Sequence, residues 1–75
     1  MYEKFVDLLV DELQIDRNDI TADSELSGDL GINSIELYDL VMICEEKFDI
    51  EINEEDVRKF TTVGDVVNYL ESLDK

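Results

Sequence analysis

Apolar positions recur at helical spacing in three stretches of the chain. From about Tyr2 to Leu13, residues Phe5, Leu8, Leu9 and Leu13 fall on one stripe, with Asp7, Asp11 and Glu12 largely off it. From about Ser34 to Phe48, residues Leu37, Leu40, Val41, Cys44 and Phe48 share a face. From about Val63 to Leu73 the stripe is Val63, Val66, Val67, Leu70 and Leu73. Each spacing predicts an amphipathic helix that buries one side. The start signals agree. Asn33 precedes the second stretch and Glu36 follows it by three residues, the pairing of a capping box. Thr62 and Asp65 repeat that relation less regularly, and Asn53 with Asp56 predicts a short helix over about Glu54 to Arg58. The alternation Ile50-Glu51-Ile52 has no pairing partner elsewhere, so it reads as an extended connection rather than a strand.

Between Gln14 and Asn33 no period holds. Ile15, Ile20, Leu26, Leu30 and Ile32 are expected to tie this stretch down onto the helices. Long ordered loops in small domains are often functional. The expected fold is all-α, a small four-helix bundle of three main helices, one short helix and a long first loop. It forms a single domain over residues 1–75, with no internal repeat.

Composition sharpens this. A chain of 75 residues buries only roughly 60% of its unfolded surface, so the core is modest. Apolar residues make up 44%, which argues for packing despite 21 Asp+Glu against 6 Lys+Arg and a net charge of −15. That field has the wrong sign for nucleic acid and is repelled by anionic membrane surfaces. A basic protein surface is its natural complement. With no His there is no histidine base or ligand, and one Cys leaves no internal disulfide and no Cys-rich zinc site, so no metal site is expected. The longest apolar run, Leu40 to Cys44, is far short of the ~20 residues that cross a bilayer. The N-terminus is amphipathic and acidic, unlike a signal peptide. A cytoplasmic protein without membrane insertion is expected.

The charge is uneven. Residues 1–31 carry nine acids and two bases, net −7, residues 36–56 nine acids and one base, net −8, and residues 57–75 three of each. The densest region holds Glu36, Asp39, Glu45, Glu46, Asp49, Glu51, Glu54, Glu55 and Asp56. Charge runs are commonly solvated surface. Here the self-repulsion costs stability that nothing in the sequence offsets, which favours a docking face for a basic partner. Cys44, within an apolar stripe, reads as a small core hydrophobe.

The most informative segment is Asp29-Leu30-Gly31-Ile32-Asn33-Ser34-Ile35-Glu36-Leu37. It sets a serine on the first turn of a helix, just after a glycine-containing loop. Unpaired N–H groups and a partial positive charge make that position suit a phosphate ester, an effect of ~0.3–1 kcal/mol at an exposed site. Ser34 has no His and no sequence-near Lys to activate it, so it is no self-activated nucleophile. It is either a plain helix-start residue or a hydroxyl that another protein activates.

These residues resemble the acyl carrier proteins. The stretch Leu30-Gly31-Ile32-Asn33-Ser34-Ile35-Glu36-Leu37 is similar to the family's Asp-Ser-Leu tripeptide after a Leu-Gly step. Leu40-Val41-Met42, Glu45-Glu46-Lys47-Phe48-Asp49 and Thr61-Thr62-Val63 also look like the family. The resemblance covers nearly the whole chain and is strongest from Asp23 to Val63. It implies a phosphopantetheine arm on Ser34, added from coenzyme A by a separate phosphopantetheinyl transferase, with Asn33 flanking the site as the helix cap. The arm's thiol would hold acyl groups as thioesters for acyl-transferring or condensing enzymes with basic docking surfaces, and the carrier itself would be a non-catalytic monomer. Ile35, Glu36, Tyr38, Asp39, Met42, Glu45 and Glu46 would form the docking face. Ile43, Val57 and Phe60 are candidates to line a cavity for the acyl chain. Two positions depart from the family pattern. Asn33 stands where Asp is usual, which removes a charge beside the site, and Tyr38 stands where a small aliphatic residue is usual. Both suggest a specialised carrier.

Other readings compete. Asp23-Ser24-Glu25-Leu26-Ser27-Gly28-Asp29 has oxygens at alternate positions and Gly sixth, like an EF-hand loop, but the twelfth position is Ser34 where Glu is required. A peptidyl or D-alanyl carrier and an unmodified acidic interaction domain are the alternatives. An enzyme is the weakest, since no nucleophile has a base.

Overall fold

The computed structural model describes residues 1–73. Its helices are α1 (Tyr2–Leu13), α2 (Ser34–Phe48), α3 (Glu54–Val57) and α4 (Val63–Leu73). The three main helices start and end where the periodicity places them. α3 is one residue shorter than expected, with Arg58 as its C-cap, and the Asn53 side chain makes no capping bond. Thr62 and Asp65 do pair reciprocally at the head of α4. Asp65 N–H donates to Thr62 Oγ1 at 3.2 Å, and Thr62 N–H donates to Asp65 Oδ2 at 3.1 Å. Among the described residues there is no strand, only one isolated antiparallel bridge between Glu25 and Thr62.

The core forms where three apolar faces meet. α1 contributes Phe5, Val6, Leu8 and Leu9, α2 contributes Leu40 and Cys44, and α4 contributes Val63, Val66, Val67 and Leu70. Two details differ from the simple stripes. Val6 is buried, so α1 is covered over a wider arc, and Leu73 is 40% exposed. Ile20, Leu26 and Ile32 reach the same core from the long loop, with Ile15 and Leu30 packed against it. Val41 and Val57 are buried but lie outside this cluster.

The long loop is fixed mainly by its backbone. It contains a 3₁₀ turn at Arg17–Asp19, capped by the Asp16 side chain and joined to α1 by an Arg17–Asp7 ion pair. Further on, Leu26 N–H donates to Thr61 O, Val63 N–H to Ser24 O, and Gly64 N–H to Ala22 O, at 2.8 to 2.9 Å. These bonds bring the segment before α2 against the start of α4. Ser24 is buried, and its hydroxyl accepts from Thr21 N–H at 2.9 Å and lies 3.3 Å from Asp19 O. A buried hydroxyl with partners at both lone pair and hydrogen carries no desolvation penalty of the unpaired kind.

Candidate functional site

The approach to α2 is a tight reversal. Asp29 and Leu30 N–H both donate to Glu25 O, and Ile32 N–H donates to Leu26 O. Between them Gly31 adopts φ 69°, a left-handed conformation that is easy only without a β-carbon. Ile32 then turns inward, and Asn33 and Ser34 emerge exposed at the head of α2.

Asn33, not Ser34, caps the helix. The Asn33 side chain accepts from Glu36 N–H at 2.8 Å, while the Glu36 carboxylate accepts from Asn33 N–H at 3.4 Å. The capping box therefore takes over the work that a helix-start serine would otherwise do. Ser34 occupies the first helical position, beside the backbone N–H groups that a helix start leaves without intrahelical partners. It sits at the rim of an open hollow of about 390 Å³ lined by Leu26, Ser27, Ile32, Asn33, Leu37, Phe60 and Thr61. Ser27 and Thr61 carry no periodic signal that links them to Ser34. They reach it through the backbone bonds that draw the long loop to residues 61–64.

The proposed docking residues separate into distinct groups. Ile35 and Met42 are the most exposed large apolar side chains among the described residues, at 75% and 62%. Asp39, Met42, Glu45 and Glu46 surround a second hollow on the outer side of α2, with Ile43 in its floor. Tyr38, 38% exposed, lines a third hollow of about 430 Å³ between α2 and α3, together with Val41, Met42, Glu45, Ile52, Glu54 and Val57. Ile35 stands apart from all three, and Glu36 is committed to the cap. Glu45 is half-buried and does structural work as well, because its Oε2 accepts from Ile52 N–H at 2.9 Å. Of the candidates to line an acyl cavity, Ile43 borders the outer hollow, Val57 borders the one between α2 and α3, and the hollow beside Ser34 is bordered by Phe60. Its ring meets Tyr69 edge to face, with centroids 5.3 Å apart.

Titration shifts are few. Burial, and secondarily the Glu45 charge beside it, push the Cys44 thiol up to about 12, so it stays a neutral core group. Burial, and then its hydrogen bond to Asp56, hold the Tyr69 hydroxyl above its ordinary value. The calcium-loop reading finds no support in the geometry. Asp29 Oδ2 already accepts from Glu25 N–H at 2.8 Å, and the Ser24 hydroxyl points inward. No cluster of acidic, His or Cys side chains among the described residues is placed to hold a metal. No helix among them is long and apolar enough to cross a membrane.

Comparison with known proteins agrees with this arrangement. Residues 3–70 match the family described as the phosphopantetheine attachment site. The chain is 42% identical to the acyl carrier protein of Clostridium acetobutylicum over 72 residues, covering 96% of this chain and 94% of the relative. Its fold superposes on a Mycobacterium tuberculosis chain, whose assignment as an acyl carrier protein is itself provisional, with a TM-score of 0.88 at 35% identity over 95% of each chain. The acyl carrier protein of Thermotoga maritima gives a TM-score of 0.83 at 27% identity, covering 95% of this chain and 82% of that one.

Proposed function

The chain belongs to the acyl carrier protein family, non-catalytic carriers that work through a phosphopantetheine arm, and on that footing we propose that Ser34 bears the arm. The observation that carries this reading is the division of labour at the head of α2. Asn33 and Glu36 close the cap between themselves, which leaves the exposed Ser34 hydroxyl to a visiting transferase. The phosphodiester formed there would sit at a helix N-terminus, where the macrodipole favours negative charge. Residues 1–75 act as one carrier domain in this reading, monomeric and cytoplasmic.

The acyl group travels as a thioester on the arm, and the chemistry belongs to the partners. Acyl-transferring or condensing enzymes would meet the exposed Ile35 and Met42 together with Asp39, Glu45 and Glu46, using basic surfaces of their own. Fatty acid, polyketide or a related specialised synthesis is the setting that fits such a carrier. The dense acidity of α2 favours acyl over peptidyl cargo.

Intact mass after incubation with coenzyme A and a broad-specificity phosphopantetheinyl transferase tests the assignment. The expected result is a gain of one phosphopantetheine group, lost in Ser34→Ala, with the helical circular dichroism of both proteins unchanged. A gain that persists in Ser34→Ala would move the site elsewhere. No gain in a folded, previously unmodified sample, with dedicated transferases as well, would leave an interaction domain on a carrier frame.

A further inference from the structure

The end of the bundle opposite Ser34 carries a different kind of surface. There the last turn of α2, the head of α1 and the later part of α4 enclose a hollow of about 220 Å³ lined by Met1, Lys4, Lys47, Phe48, Ile50 and Leu70. No carboxylate lines it, in a chain with 21 Asp+Glu and only 6 Lys+Arg. Phe48, Ile50 and Leu70 give it an apolar floor, with Leu70 fully buried and the other two half-buried against the main core. Lys4 and Lys47 are exposed at its rim. Neither is ion-paired among the described residues, where the pairs are Arg17–Asp7, Arg58–Glu54 and Lys59–Asp56. Lys4, Lys47 and Phe48 also border a smaller neighbouring hollow, and the acids Asp7, Asp11 and Glu12 lie in that one. Lysine stems lie along apolar surface and keep their ammonium groups in water. The larger hollow thus offers an apolar seat beneath two positive charges.

We propose that this hollow binds a free aliphatic carboxylate, with its alkyl chain on Phe48, Ile50 and Leu70 and its charged head between Lys4 and Lys47. A small inorganic anion would leave the apolar floor uncovered, and an uncharged or cationic chain would leave the two ammonium groups unanswered. An anionic amphiphile satisfies both. Lysine is a compact point charge with rotatable donors, which suits a carboxylate that is not held in a planar fork. At physiological ionic strength the screening length is ~8 Å, so a head seated here responds to Lys4 and Lys47 before the acids at the far end of the molecule. α2 has 15 residues, which sets the hollow about 22 Å from Ser34. It can therefore fill while Ser34 and the outer face of α2 are engaged. Hydrolysis of a thioester releases the free acid and the thiol, so on the carrier reading the ligand is of the class that cargo lost from the arm would form. The binding itself rests only on the two lysines and the apolar floor.

Titration of the unmodified protein with octanoate, below its micelle-forming range and followed by amide NMR, tests the site. Saturable shifts should centre on Phe48, Ile50, Leu70 and the head of α1, with a dissociation constant on the order of 1 mM for a ligand of about ten heavy atoms. Combining Lys4→Gln with Lys47→Gln changes two exposed positions and should leave the fold intact by circular dichroism. It should weaken octanoate by about two- to twentyfold, the range for two exposed ion pairs. Octanol, which lacks the charge, should bind the parent and the double variant alike, and no more tightly than octanoate binds the double variant. Octanoate that binds the double variant as tightly as the parent, that shifts the hollow lined by Tyr38 and Val57 instead, or that gives no saturable shift overturns the site. So does inorganic phosphate that matches octanoate at the same residues, since the apolar floor would then play no part. Ser34 is unmodified throughout, so none of these outcomes bears on whether it carries the arm.

Discussion

Asn33 and Glu36 hold each other across the first turn of α2, side chain to backbone in both directions, at 2.8 Å and 3.4 Å. Ser34, the proposed attachment residue next to Asn33, contributes nothing to that cap. The cap and the proposed attachment site at this helix start thus rest on neighbouring but different residues, and the two can be separated by mutation.

Asn33→Ala should lower stability by about 1 kcal/mol, the usual loss for an N-cap. In a domain of this size that is a fall of roughly 4–8 °C in Tm. Asn33→Asp should keep the cap and add a charge that the helix N-terminus favours. It should also speed modification of Ser34 by a broad-specificity transferase, because it restores the charge usual beside the family's serine. Thermal melts and initial rates of mass gain read the two effects apart. A slower rate in Asn33→Asp would mean that the missing charge is not what limits the transferase.

Cys44 should be silent as a thiol. It is 1% exposed, and its ionisation is pushed up to about 12, so little thiolate exists at neutral pH to react. The unmodified protein should therefore show no rapid reaction with a thiol reagent until it is denatured, and the protein carrying the arm should show one. The same shift has a pH consequence. The folded state holds the Cys44 proton more tightly than the unfolded state, whose thiol titrates near 9.0. The stabilisation is complete below that value and is lost as pH rises toward about 12. Denaturant midpoints taken across this window should fall less steeply in Cys44→Val than in the parent.

The elements with a period are legible in the amino-acid sequence alone. Helical spacing and the pairs Asn33–Glu36 and Thr62–Asp65 place the three long helices and their starts, because burial and capping act on neighbouring turns. The long loop is legible only in its apolar anchors, Ile20, Leu26 and Ile32. Its path depends on backbone bonds from Ser24 and Leu26 to residues 61–63, which no side-chain pattern encodes. Ser24 is buried although serine is ordinarily a surface residue, because its partners lie in its own turn. At the site, Ser34 is legible from its place after the glycine and the cap. The three separate hollows are not, since α3 is too short for its face to be read from spacing and Phe60 is directed by Tyr69.

Salt should act with opposite signs on folding and on docking. The folded chain concentrates a net charge of −15, so added salt should raise the denaturation midpoint by screening self-repulsion. Docking of a basic enzyme should weaken over the same range, as the screening length falls from ~8 Å at physiological ionic strength to ~3 Å at 1 M. Melting curves and titration of the modified protein with its partner enzyme check both. Affinity that stays flat with salt would remove the acidic face of α2 from the interface.

Gly64→Ala sets two effects against each other. Alanine favours a helix by about 0.8–1 kcal/mol over glycine, and Gly64 lies in the first turn of α4, so propensity alone forecasts a gain. The packing forecasts a loss. A β-carbon there would sit 2.9 Å from the Ala22 carbonyl oxygen, the same oxygen that accepts from Gly64 N–H at 2.8 Å. Backbone cannot swing aside as a side-chain tip can, so the long loop must shift away from α4. That shift costs typically 1–3 kcal/mol and weakens the hydrogen bond, worth roughly another 0.5–1.5 kcal/mol. The losses outweigh the gain, and Gly64→Ala should be destabilised by about 0.5–3.5 kcal/mol, with the added exposure confined to amides near Ala22 and Ser24. An unchanged or higher midpoint would mean that the loop yields freely at this contact, and that its position before Ser34 is set by Leu26 and Thr61 instead.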